Sequence, residues 1–121
     1  MLPEDRDAAH LWDMLDAARH LLDFTVGLRY ETYLEDVQLR WTVERGLTII
    51  GEAARRVSPD LKVAHPELPW RWLISQRNII VHEYDELDQQ RVWEVVTTDL
   101  LHLIAHLEAL LPPPPQDPDP R

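Results

Sequence analysis

The chain has 121 residues, 12 basic and 22 acidic, for a formal net charge of −10. That length suits a single domain of about 100–200 residues, and the absence of cysteine excludes a disulfide framework, a thiolate zinc site, an iron–sulfur cluster and a cysteine nucleophile. No apolar run approaches the roughly 20 residues that span a bilayer, and the acidic start Met1-Leu2-Pro3-Glu4-Asp5 lacks the basic and apolar regions of a secretory signal. The expectation is a soluble, cytoplasmic domain with no membrane partner.

In chain order, Leu11, Met14, Leu15, Ala18, Leu22 and Val26 recur mostly at spacings of three and four, which predicts a helix from Pro3 to about Thr25. Acidic residues crowd its first turn, as the helix dipole favours. Gly27, with Tyr30 and Tyr33 behind it, marks a break. Val43, Leu47, Ile50, Ala54 and Val57 form a second stripe, with Asp36 as its cap. Ser58-Pro59 stops it, because the residue before proline is pushed out of the α region. Gly46 and Gly51 lie inside this helix at a propensity cost of about 1 kcal/mol each, which close helix–helix approach explains better than a ligand role.

Residues 59–69, punctuated by Pro59, Pro66 and Pro69, read as a loop or one short turn. Pro69 is placed to open a third helix that carries Trp70, Leu73, Ile74, Ile80 and Val81 and frays near Glu83-Tyr84. Asp88 is a natural N-cap for a last helix with the stripe Val92, Val95, Val96, Leu100, Leu103, Leu107 and Leu110. Trp93, Leu101, Ile104 and Leu111 lie off that stripe, and an arc so wide suggests a second buried face and self-association. No alternating β pattern or hairpin turn is present. The fold class expected is all-α, an up-and-down bundle of four main helices with a short extra helical turn. It occupies residues 1–111, and 112–121 form a disordered, polyproline-like tail.

The charge argues against binding nucleic acid through a uniformly basic surface, though not against a local patch. Eleven of the twelve basic residues are arginine, with Lys62 the single lysine, and the planar guanidinium suits phosphate. The three glycines form no phosphate-cradling loop, so Rossmann and P-loop readings fail.

The stretch most able to carry chemistry is Arg77-Asn78-Ile79-Ile80-Val81-His82-Glu83-Tyr84. Asn78 and His82 are one helical turn apart, whereas Arg77 is about 140° around the axis from His82. Either the long Arg77 side chain curls around, or Arg and His converge with copies from another chain. Histidine can serve as acid or base near neutrality, arginine can stabilise charge on phosphate, and asparagine can orient a phosphate or fix an imidazole tautomer. Together they suit metal-free RNA cleavage, with His82 deprotonating a ribose 2′-OH and Arg77 stabilising the charge on phosphorus. On spacing alone the default is a partly buried, structural His82 bonded to Asn78, with Arg77 at the surface.

His102 and His106, one turn apart, have a geometry that suits zinc. No catalytic Glu lies between them, which excludes a metalloprotease motif, and a solvated helix face is the simpler account. Glu44, Glu52 and Asp99 are placed to anchor arginines such as Arg45, Arg55 and Arg77. Glu52, beside Gly51, is the best of them for a supporting role.

Glu44-Arg45-Gly46-Leu47-Thr48-Ile49-Ile50-Gly51-Glu52-Ala53, then Pro69-Trp70, then Arg77 to Tyr84 resemble the HepT-like family of HEPN-domain ribonuclease toxins. The similarity runs from about residue 5 to residue 111 and includes Leu34-Glu35-Asp36 and Val92-Trp93-Glu94. It implies an α-helical homodimer that cleaves RNA with Arg77 and His82 at a composite site, needing no cofactor or metal, with Asn78 at a commonly polar position. It also implies an MntA-type nucleotidyltransferase antitoxin that transfers AMP from ATP onto Tyr84 and silences the nuclease. The alternative is a non-catalytic helical module that binds a nucleotide or a protein and partners a nucleotidyltransferase.

Overall fold

A computed structural model describes residues 5–82 and 87–111. Tyr84 and the proline-rich stretch 112–121 lie outside the described residues. Those described fold into α1 (Asp5–Thr25), α2 (Tyr30–Glu35), α3 (Val37–Arg56), α4 (Pro59–Ala64), α5 (Trp70–His82), α6 (Gln89–Glu94), a π-helical turn (Val95–Asp99) and α7 (Leu100–Leu110). No strand occurs among them, so the all-α class expected from the stripes is the class observed.

The central helix is α3, packed on α1 on one side and on α5 on the other. Its start and stop are those the sequence marks. The Asp36 carboxylate accepts from the Leu39 N–H at 3.0 Å, and Val57 leaves the helix just before Ser58-Pro59. Val43, Leu47, Ile50, Ala54 and Val57 are all buried. Both helix glycines mark close approach: a Cβ at Gly46 would come within 2.5 Å of the Leu21 side chain, and one at Gly51 would overlap the Arg77 Cβ and sit 2.7 Å from the Leu73 carbonyl oxygen. At Gly51 the obstacle is the Arg77 Cβ and the α5 backbone itself, which cannot turn aside as a side-chain end can. Gly51→Ala is therefore expected to destabilise the protein by about 1–2 kcal/mol, the strain of overpacking less the helix-propensity gain. Urea unfolding measures it, and a stabilised variant would show that α5 can shift freely.

Three features depart from expectation. The buried face of α1 runs through Leu21 to Thr25, not through Leu22 to Val26; Val26 is 71% exposed. The helix stops at Thr25, whose hydroxyl donates to the Leu21 carbonyl at 2.8 Å, and Gly27 turns the chain with φ of 76°. Second, the supposed break at Tyr30 and Tyr33 is a short helix that buries Tyr33 fully against Trp93, with ring centroids 5.0 Å apart. Third, the last helix carries a π turn. Val95 and Leu100 would lie about 140° apart on an unbroken α-helix, yet each is only 1% exposed, because the extra residue in the turn returns both to the core.

The second face inferred on the last helix is thus largely covered within the chain. Trp93 packs on α2 and Leu111 is buried, while Leu101 stays half exposed. The region 59–69 includes one helical turn, α4, capped by the Ser58 hydroxyl. Buried Asp7 accepts from the Ser58 N–H at 2.9 Å and its hydroxyl at 2.5 Å, tying the start of α1 to α4. Glu44 is also buried, and burial pushes its carboxyl above the ordinary value, against the opposing hydrogen bond from Gln89 at 3.4 Å and the charge of Arg40. The folded protein therefore holds this proton more tightly than the unfolded chain, and the group's contribution to stability falls as pH rises above the usual carboxylate range.

Candidate functional site

Gly51 is what brings α5 close enough to α3 for Arg77 to lie along it. The Arg77 side chain is only 24% exposed, and its Nε sits 3.2 Å from Glu52 Oε2. Both atoms are out of water without the alignment of a hydrogen bond, so an ion pair holds them together. Arg77 Nη1 donates to the Asn78 amide oxygen at 3.0 Å. The other Glu52 oxygen takes Arg55 at 2.7 Å and Arg56 at 3.3 Å. The hydrogen bond from Arg55, with the charges of Arg55, Arg77 and Arg56, holds the Glu52 carboxyl below its ordinary value against partial desolvation. Glu52 is an anionic post for three arginines.

His82 closes α5 and is exposed. Among the described residues no hydrogen bond joins it to Asn78, whose amide oxygen is directed to Arg77 instead. The arrangement with a buried His82 on Asn78 and a surface Arg77 is therefore reversed: the arginine is the half-buried member. Arg77 and His82 remain on different sides of α5, as five residues of helix require.

Arg77 and Glu52 form one end of a groove of about 320 Å³ whose walls also include His10, Arg45, Thr48 and Arg56. Sequence reasoning did not bring these four together. The only available signal was the spacing of Arg45, Glu52 and Arg56 by seven and four on one helix. The expected anchors resolve differently as well. Among the described residues Arg45 is not held by an acid, Asp99 pairs with Arg91 at 3.5 Å, and Glu44 meets Gln89. His102 and His106 are exposed on α7, and among the described residues no group of three or more histidine and acidic side chains could hold a metal ion. No described helix is long and apolar enough to cross a membrane.

The all-α bundle is consistent with a HEPN-like domain, and it sets Arg77 on the half-buried Glu52 with His82 at the exposed end of the same helix. Residues 14–110 match the family model described as "Ribonuclease HepT-like", and the chain belongs to that family, a class of RNA-cleaving enzymes. It is 34% identical over 92 residues to "Putative RNase MJ1380" of Methanocaldococcus jannaschii, covering 76% of this chain and 84% of that one. It is likewise 34% identical over 101 residues to "Probable ribonuclease HepT" of Thermococcus cleftensis, covering 84% of this chain and 92% of that one. No solved structure matches the chain.

Proposed function

We propose that the protein is an endoribonuclease toxin of a toxin–antitoxin pair, acting on RNA without a metal ion through Arg77 and His82. The observation that carries this reading is the state of Arg77. It is oriented by Glu52 and Asn78 at the edge of an open groove, with His82 free in solvent on the same helix. His82 takes the proton of a ribose 2′-OH, and that oxygen attacks the adjacent phosphorus. The 5′-oxygen leaves, giving a 2′,3′-cyclic phosphate and a 5′-hydroxyl. Arg77 stabilises the extra charge on the phosphoryl oxygens as they crowd.

The leaving oxygen needs a proton that one exposed histidine, itself busy as base, does not supply. A homodimer with His82 from each copy at a shared cleft meets that need, and it also removes the problem that Arg77 and His82 of one chain face different ways. Regulation belongs to the same reading: a nucleotidyltransferase antitoxin of the MntA type transfers AMP to Tyr84. Cleavage of RNA is expected to persist unchanged in excess EDTA, because side chains supply both proton transfer and charge. Light scattering is expected to give twice the 14.2 kDa chain mass. Loss of cleavage in EDTA with recovery on magnesium would refute the metal-free mechanism, and a monomer that cleaves at full rate would refute the composite site.

A further inference from the structure

Beyond Arg77 the surface along α3 carries three neighbouring depressions, and Arg45 lines each of them. The first, with Arg77, Thr48 and Arg56, and the second, with Phe24, lie between α1 and α3, and the third is a shallow surface of α3 alone that carries Trp41. Trp41 on α3 is 62% exposed and Phe24 on α1 is 48% exposed, two large rings in water. The exposed cation Arg45 shares a lining with each ring. Arg55, Arg56 and Arg77 share Glu52, Arg19 has Glu108 and Arg91 has Glu94 and Asp99, but no carboxylate pairs with exposed Arg45 among the described residues.

We propose that this groove is a track for single-stranded RNA leading to Arg77, in which Arg45 takes a backbone phosphate and Trp41 and Phe24 stack bases. The proposal rests on the ribonuclease reading above and extends it to the substrate's form. A basic side chain between exposed aromatic rings is the combination that holds single strands, since every base has a face to stack and every linkage a phosphate. From Trp41 to Glu52 the track is roughly 16 Å long at the rise of a helix, room for a few nucleotides. Its two walls differ. The α3 wall carries Arg45, Thr48 and Arg56, with the Glu52 charge taken up by its arginines, whereas α1 contributes Asp13 and Asp16 beside His10 and His20. Carboxylates repel phosphate but accept from base amino groups. The strand therefore runs with its phosphates along α3 and its base edges toward α1. An unpaired charge at the centre also argues against a second copy of the chain as occupant, because the core of a protein–protein interface is depleted of charged residues.

The test uses the full chain and two probes: a labelled 2′-O-methyl RNA of about 12 nucleotides, which cannot be cleaved through its 2′-oxygen, and a cleavable dinucleotide. Trp41→Ala and Arg45→Glu are each expected to weaken binding of the longer strand about tenfold or more, the scale of one lost stacking or phosphate contact. Trp41→Phe and Arg45→Lys keep most of the affinity. Arg45→Ala lowers the slope of log Kd against log salt by about 0.7, the value for one phosphate on a single strand. Dinucleotide cleavage stays at the wild-type rate in the Trp41 variants. Unchanged strand binding in Trp41→Ala and Arg45→Glu, with wild-type RNA cleavage intact, overturns the track and leaves the ribonuclease reading standing. A wild-type protein that neither binds nor cleaves RNA overturns both. If Trp41→Ala instead converts a dimer to a monomer by sedimentation, the face is a contact between chains and the track is wrong.

Discussion

His82→Ala is expected to reduce RNA cleavage to background while leaving helicity and unfolding midpoint unchanged. A general acid or base contributes about 10²–10⁴-fold to a rate, and in a two-fold composite site one substitution removes both the base and the acid. His82 is exposed and makes no hydrogen bond among the described residues, so the fold does not depend on it and the loss reads on chemistry alone. Arg77→Ala is the informative companion. Loss of charge stabilisation at phosphorus costs about 10²–10³-fold, but the substitution also strips a buried oxygen of Glu52 of its partner, so stability falls as well. Arg77→Lys separates the two effects: it restores a charge near Glu52 and not the planar fork. Single-turnover cleavage set beside urea unfolding of the three variants gives the answer. Wild-type cleavage by His82→Ala would remove histidine from the mechanism.

The contrast between these two residues also shows what a sequence does and does not reveal. The stripes of α3 and of the last helix were legible because burial imposes a helical period, and Asp36 and Asp88 were legible because orphan N–H groups at a helix start need side-chain acceptors. Gly51 was legible as a close approach, since its cost in a helix needs compensation. Which side chain fills the space that Gly51 leaves was not legible, because the register of α5 on α3 is set by packing across a long connection. Arg77 therefore read as the surface member of its pair with His82, and the structure makes it the half-buried one. The groove residues His10 and Arg45 were hidden for the same reason: they belong to different helices and become neighbours only when α1 lies on α3. The π turn escaped as well. Its effect, one extra residue between Val95 and Leu100, is visible only when both are seen in the core.

Tyr84→Phe is expected to cleave RNA at the wild-type rate and to escape silencing by a cognate nucleotidyltransferase. Tyr84 follows His82 by two residues and lies outside the described residues, so the argument is chemical. In the transfer, the phenolic oxygen attacks the α-phosphorus of ATP, pyrophosphate leaves, and the phenolic proton passes to the transferase. The product carries a phosphodiester with about one negative charge at neutral pH and an adenosine close in sequence to the Arg77–His82 pair. The new phosphate competes with the RNA backbone for the Arg77 guanidinium, a charge-assisted contact stronger than a neutral hydrogen bond. The nucleoside at the same time excludes substrate by volume. Phenylalanine keeps the ring and loses only the nucleophile, so catalysis by His82 and Arg77 is untouched. Incubation with labelled ATP and the transferase is expected to mark wild type and spare Tyr84→Phe, and toxicity is expected to persist in cells that make Tyr84→Phe together with the transferase. Label on Tyr30 instead, or equal label on the variant, would refute this control while leaving the nuclease mechanism intact. Tyr33 is a poor competitor for the label, because its ring is fully buried on Trp93 and its hydroxyl donates to Gln89.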